Sequence, residues 1–450
     1  MTSHLRSAER KNRIIKTFSV GLYAKIVSVI VSFSIVPLAV NYLGVEQYGL
    51  WVAVSSLIAI LSFADGGVGN AMVNMISRAT GIHSNDSMQK IVSTGYLVIL
   101  VISLFGLAIF FIAYDLVSWS WMFGLSDQGD SEQLLLLVLI VGVSFFIGMP
   151  FSLVGNIQRG FQEGNIRAFW EAKGRLFSLL FVIFAIYMDL GLLGFALAFV
   201  FGPIFSAALN SIKYFFFTKR NLLPKFSLVS VGEAKEVFGV GGLFFILQIT
   251  SSVQMRADNV IIANMLGPEY VAGYSICMQL FLAIPMILSL LWTPLWPAYR
   301  EALASDDAQW VKRIFYKSMK LAMLVGIPIS VALVIFGQKI IQLWVGDSVM
   351  PSMSLLIGCG IWMVMVIVGN ALAVFLNGVQ VIKTQVIISI FAAIFNVVLT
   401  IMLIPLIGVE GAVYGTVLSY FICAIIPYGF LLPNIFIRKV GISSVRIKGV

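Results

Sequence analysis

Histidine, cysteine and charge are all scarce in this 450-residue chain. The two histidines, His4 and His83, fall in polar segments, so no histidine-based active site is expected at membrane depth. Cys277, Cys359 and Cys423 lie inside apolar runs without metal-ligand spacing, which excludes a disulfide framework or a cysteine metal centre. Charged residues make up 11% of the chain, where a soluble protein carries roughly 25%. There is no glycine loop ending in Gly-Lys-Ser/Thr, so ATP hydrolysis is not expected. Gly66, Gly67 and Gly69 sit within an apolar run rather than after a strand, and so form no dinucleotide fingerprint. No cofactor or metal is expected.

What the chain does contain is apolar sequence, 60% of its residues. The runs are solidly apolar rather than alternating, which favours helices over a membrane barrel. They predict an all-α polytopic membrane protein with spans near 18–41, 50–76, 91–114, 134–155, 168–188, 191–216, 238–263, 272–296, 316–336, 353–376, 384–406 and 411–436. The polar, basic segment 1–17 precedes a run too long for a signal-peptide core, so the first helix is expected to be retained. With twelve spans and the N-terminus inside, 26 of the 29 Lys and Arg fall on the inner side, in the connections or at the span ends adjoining them. Lys339 alone is outside, and the acids divide evenly. Lys and Arg set topology and acids scarcely do, so this pattern places both termini in the cytoplasm. It also explains the net charge of +9 without nucleic acid. The 115–133 connection holds Trp119 and Trp121, suited to an interfacial belt.

The chain echoes itself at about half its length. Asn41-Tyr42-Leu43-Gly44 pairs with Asn264-Met265-Leu266-Gly267, Gly160-Phe161-Gln162 with Gly378-Val379-Gln380, and Leu190-Gly191 with Ile407-Gly408. The offsets are 223, 218 and 217 residues. Six spans per half keeps both halves in one orientation, a parallel repeat of the kind transporters use. The expected organisation is an N-terminal lobe at 1–217, an inter-lobe linker at 218–237 and a C-terminal lobe at 238–450.

Ionisable groups within spans are costly and face a cavity or a partner. Lys25, two turns into the first span, either snorkels to the headgroups or lines an anion-binding cavity. Asp65, in Asp65-Gly66-Gly67-Val68-Gly69-Asn70, is either a hydrogen-bond acceptor for a neighbouring helix or a coupling group. Arg256 and Asp258 in the seventh span point to different faces and are not expected to pair. Gln248, Gln254 and Asn259 accompany them, which suits a helix lining a wet interior. Asn370, Asn377 and Asn396 hint that the tenth and eleventh spans contribute. Pro285 and Pro294 make the eighth span a candidate bending element, because proline removes a backbone hydrogen bond.

Tyr42-Leu43-Gly44, Tyr48-Gly49-Leu50-Trp51, Ser56-Leu57, Asp65-Gly66-Gly67-Val68-Gly69 and Ala71 together resemble the opening of Wzx-type polysaccharide-export flippases. These belong to the multidrug/oligosaccharidyl-lipid/polysaccharide exporter superfamily. The resemblance implies a V-shaped, alternating-access transporter of two six-helix lobes. It implies movement of an undecaprenyl-pyrophosphate-linked oligosaccharide, such as an O-antigen repeat unit, across the bacterial inner membrane. Lys25 and Arg256 would then be pyrophosphate or acidic-sugar ligands, with Gln248, Gln254 and Asn259 as further cargo contacts. Asp65, Asp258, Pro285 and Pro294 would serve coupling or gating. Drug exporters of the superfamily often carry an acid in the first span, and residues 18–40 hold none.

The expected partners are the lipid-linked cargo, membrane lipids, and the polymerase and chain-length machinery of the same pathway. A drug or cation antiporter is one rival. A membrane-embedded polymerase or glycosyltransferase is another, disfavoured by short outer loops that hold one base.

Overall fold

The computed structural model describes the backbone of residues 2–61, 65, 67–82, 85–124, 128–161, 163–292, 295–304 and 307–440. Within these, the side chains of residues 2–19, 238–249 and scattered single positions are not described. The described chain is helical, joined by short turns and without strands. In chain order the helices are α1 Thr2–Leu61, α2 Val68–Ile82, α3 Asn85–Leu116, α4 Trp119–Met122, α5 Gln128–Gly160, α6 Gly164–Tyr187, α7 Gly191–Ile212 and α8 Val231–Leu266. There follow α9 Pro268–Trp292, α10 Leu295–Ala304, α11 Ala308–Val345, α12 Met353–Gly378, α13 Ile382–Ile407, α14 Glu410–Tyr420 and α15 Ile426–Val440. Turns of π-helix close α7 at Lys213–Thr218 and join α14 to α15 at Phe421–Ile425.

Among the described residues, nine helices are long and apolar enough to cross a membrane. Twelve spans were expected, and three features account for the rest. The first two spans run on from one another in α1, which breaks at Gly44 (φ 78°). The fifth starts with Glu171, Lys173 and Arg175, which dilute its apolar length. The seventh, in α8, includes residues whose side chains are not described.

The second span is not one helix. Its first part ends at Leu61 and its second begins at Val68. Gly67 between them has φ 77°, a conformation a side chain would oppose.

The chain divides into two compact units. Unit 1 comprises Met1–Gln47 and Val54–Ile249, and unit 2 comprises Tyr48–Ala53 and Thr250–Val450. Matching turns recur in both at the spacing read from the sequence. Gly44 (φ 78°) corresponds to Gly267 (φ 112°), and Gly191 (φ 63°) to Gly408 (φ 72°). The Glu163 N–H donates to Gln158 O at 2.8 Å, as the Val381 N–H donates to Leu376 O at 2.9 Å. The repeat is thus written in the backbone as well as in the residues.

Close helix approach through small residues holds each unit. In unit 1, Gly174 and Ser178 on α6 face Gly202 and Ser206 on α7. The Ser178 hydroxyl donates to Phe199 O (2.8 Å) and that of Ser206 to Trp170 O (2.6 Å). Lipid tails supply no hydrophobic drive between helices, so such contacts rest on van der Waals packing and interhelical hydrogen bonds. In unit 2, Gly411 and Gly415 on α14 lie against the α13 backbone at Ile404 and Thr400.

At one end of unit 2 an aromatic cluster joins α10, α11, α12 and α15. Phe375 lies 4.5 Å from Phe315, 5.3 Å from Phe436 and 5.5 Å from Tyr299, ring centre to ring centre.

The 218–237 segment is pinned to α3. Gln89 Nε2 donates to Leu223 O (3.0 Å), and the N–H groups of Lys225 and Ser230 donate to the hydroxyls of Ser93 (3.0 Å) and Thr94 (3.1 Å). In the 115–133 connection Trp119 is buried, with its indole N–H donating to Tyr114 O at 2.9 Å, while Trp121 is exposed.

Candidate functional site

Asp258 on α8 is buried, 2% exposed. Three hydroxyls from three other helices donate to its carboxylate. Tyr274 on α9 and Thr416 on α14 reach Oδ2 at 2.7 and 2.8 Å, and Thr400 on α13 reaches Oδ1 at 3.1 Å. Asn396 Nδ2 donates to the Thr416 hydroxyl at 2.7 Å. The Asn396 Oδ1 is buried and receives no donor among the described residues. Close packing makes this convergence possible. Gly415 precedes Thr416 and fits against Thr400, so α13 and α14 approach closely enough for both threonines to share one carboxylate.

The chemistry of the cluster follows from its composition. Among the described residues every partner of Asp258 is neutral, and no Lys, Arg or His pairs with it. A carboxylate held away from water is neutralised by a proton or by a cation, since the isolated charge costs many kcal/mol. Three hydroxyl donors order the carboxylate.

Arg256, two residues earlier on α8, is exposed and lies off the buried Asp258 face. The two do not pair, as the helical spacing requires. Asn259 is buried beside Asp258 in sequence, and the Nε2 of Gln254 is buried with no acceptor among the described residues. The Gln248 side chain lies outside the described residues, as does Pro294. Pro285 sits inside α9, which continues through it as helix. Lys25 is half-buried on α1.

Asp65 stands at the break in the second span. Its Oδ1 accepts the Gly67 N–H at 2.9 Å and its Oδ2 the Gly69 N–H at 3.1 Å. This is how a helix-starting aspartate satisfies N–H groups that have no partner in the helix. Replacing Asp65 by Ala is expected to destabilise the protein by about 1 kcal/mol, as loss of such a cap does elsewhere. Asn, which caps about as well, is expected to leave both stability and transport near wild type. Thermal unfolding in detergent, paired with a cell-based transport assay, checks both. Loss of transport in a stable Asp65→Asn protein would assign the charge itself a role.

Sequence reading singled out Asp258 but not Tyr274, Thr400 or Thr416. The available signal was Gly411-xxx-Gly415-Thr416, a close-packing pattern followed at once by a polar residue within a span.

Residues 38–354 match the family described as "Polysaccharide biosynthesis protein". A protein of Yersinia pseudotuberculosis named for O-antigen export is 23% identical over 62% of this chain and 63% of its own length. A Shigella flexneri protein named as an O-antigen transporter is 20% identical over 74% of this chain and 77% of its own. Thus the chain spans less than two thirds of the Yersinia relative. Among solved structures, an inward-facing multidrug resistance MATE family transporter of the MOP superfamily superposes with a TM-score of 0.76. It shares 17% identity, covering 96% of this chain and 99% of that one. At that identity the likeness concerns the fold alone. The chain belongs to the polysaccharide biosynthesis protein family and is a multi-pass, all-α membrane protein with the fold of MOP-superfamily transporters.

Proposed function

We propose that this protein is a flippase that carries a lipid-linked oligosaccharide, a surface-polysaccharide repeat unit on undecaprenyl pyrophosphate, across the bacterial cytoplasmic membrane. The family membership carries this reading, and the names of the Yersinia and Shigella relatives support it. So does the placement of Lys and Arg, which favours cytoplasmic termini. A lipid-linked sugar needs a polar route for its head, while its tail can stay in the bilayer. Lys25, Gln248, Gln254, Arg256 and Asn259 are the proposed contacts for the head. The lobes at 1–217 and 238–450, linked by 218–237, would alternate access, and the polymerase of the same pathway would receive the product.

Asp258 is the proposed coupling group, because it is a buried carboxylate whose donors among the described residues are all neutral. Uptake or release of a proton or sodium ion there would change the charge inside unit 2 and with it the preferred conformation.

The deciding experiment is deletion and complementation in the source bacterium. Surface polysaccharide is expected to disappear and return, with tolerance to cationic drugs unchanged. Altered drug tolerance with intact polysaccharide would refute the flippase and favour a drug antiporter.

A further inference from the structure

Unit 1 gathers cations of its own where α5 ends and α6 begins. Arg159 Nη2 and Arg167 Nη1 both donate to one atom, the Oδ1 of Asn156, at 2.5 and 2.7 Å. Two guanidiniums on one neutral oxygen repel one another. Among the described residues one carboxylate is paired here, Glu171, with Arg167 Nε at 2.6 Å. The two guanidiniums thus meet one paired carboxylate, which leaves positive charge in surplus.

The arrangement is held, not splayed. The stem of Arg167 lies along α5 where Gly155 has no side chain, and a Cβ there would come within 3.3 Å of Arg167 Cγ. Asn156 is seated against Gly69, and a Cβ at Gly69 would strike its amide. Gly69 is in turn fixed by Asp65 through the helix-starting bond described above. The sequence Asp65–Gly69–Asn156 thus forms a continuous support beneath the two arginines.

Other basic residues nearby are arranged differently. Lys173 lies over the rings of Phe169 and Trp170 at 4.6 Å, and Lys219 is 3.7 Å from Glu163. A topological charge needs only to be on the inner side, and nothing requires it to converge with another. A fixed pair of guanidinium forks matches phosphate oxygens, which accept parallel N–H bonds and cancel the repulsion. Each guanidinium has five N–H donors, so Arg159 and Arg167 retain most of theirs after these contacts. Their side is the cytoplasmic one in the charge-based topology.

We propose that Arg159 and Arg167, held on Asn156 and Gly155, form a phosphate site that takes the diphosphate of the lipid-linked cargo on the cytoplasmic side. This rests on the flippase reading and adds a docking point in unit 1, separate from the in-span residues. An anionic phospholipid offers similar phosphate chemistry, so the test must tell the two apart.

The test uses the full chain in phosphatidylcholine nanodiscs, with undecaprenyl pyrophosphate, undecaprenol and phosphatidylglycerol as probes and native mass spectrometry as readout. Wild type is expected to prefer the diphosphate lipid to both others. Arg159→Gln with Arg167→Gln is expected to weaken that binding about tenfold or more, as loss of a charge-assisted hydrogen bond does. Binding of undecaprenol should not change. Asn156→Ala keeps both charges but frees them, and should show a smaller loss of the same kind. This variant guards against a folding artefact, as does an unchanged unfolding temperature in the double variant. Double-variant binding within twofold of wild type overturns the site and leaves the flippase reading intact. Wild type that binds phosphatidylglycerol as tightly as the diphosphate makes it a phospholipid site and overturns the proposal. Wild type that binds no diphosphate lipid refutes the flippase reading itself.

Discussion

Asp258→Asn is expected to leave a folded protein whose transport has fallen by about 5- to 150-fold, the span of ordinary coupling free energies. Asn matches Asp in shape, and the hydroxyls of Tyr274, Thr400 and Thr416 can turn to suit it. What it cannot do is carry a negative charge or bind and release a proton. The Ala variant differs instructively. It deprives Tyr274 and Thr400 of their acceptor at about 1–3 kcal/mol for each group left unpaired. Thr416 loses less, since Ala412 O lies 3.1 Å from its hydroxyl and can take the bond instead. Ala should therefore lose stability as well as transport, and Asn transport alone. Transport by purified protein in liposomes, beside unfolding temperatures of both variants, separates these effects. An Asn variant transporting at more than half the wild-type rate would make Asp258 a structural hub.

A second large effect is expected at Gly415. A Cβ there would lie 2.8 Å from both the backbone N and the Oγ1 of Thr400, closer than real Cβ contacts allow. Neither backbone can give way without parting α13 from α14. Overpacking usually costs about 1–3 kcal/mol and occasionally more, and here the contact is helix backbone. Gly415→Leu is expected to yield little folded protein, and Gly415→Ala a lowered unfolding temperature with weakened transport. Gly429 provides the comparison, since nothing lies within 4 Å of a Cβ at that position. Gly429→Ala should behave as wild type. Size-exclusion profiles in detergent rank the three, and a monodisperse, wild-type-like Gly415→Leu would show that the helices are not so closely held.

The sequence carried most of the architecture, because a membrane imposes length and charge rules that a linear reading can apply. Span placement and the half-length repeat needed only local runs and their spacing, and Gly44, Gly191, Gly267 and Gly408 all prove to be positive-φ turns. The second span breaks at Asp65-Gly66-Gly67, where the glycines permit a kink and the aspartate is a helix-start signal in the middle of an apolar run. The Asp258 cluster was half visible. A lone in-span acid announces itself, but Thr400 and Thr416 lie 142 and 158 residues away, and each alone is an ordinary threonine in a helix. Arg159 and Arg167 were hidden for another reason. Their charge was already accounted for by topology, and only the shared Asn156 oxygen sets them apart from other inner-side bases.

The repeat makes unit 1 a record of what the Asp258 cluster replaced or what replaced it. Counting back by the offsets of the matching turns, Asp258 corresponds to Ile35, Asn396 to Ser178 and Thr400 to Val182. All three counterparts are buried, and two are aliphatic. One copy of the duplicated half closes on hydrocarbon where the other closes on a carboxylate. Duplication thus let the two copies diverge at this place: one packs aliphatic side chains where its twin buries a carboxylate.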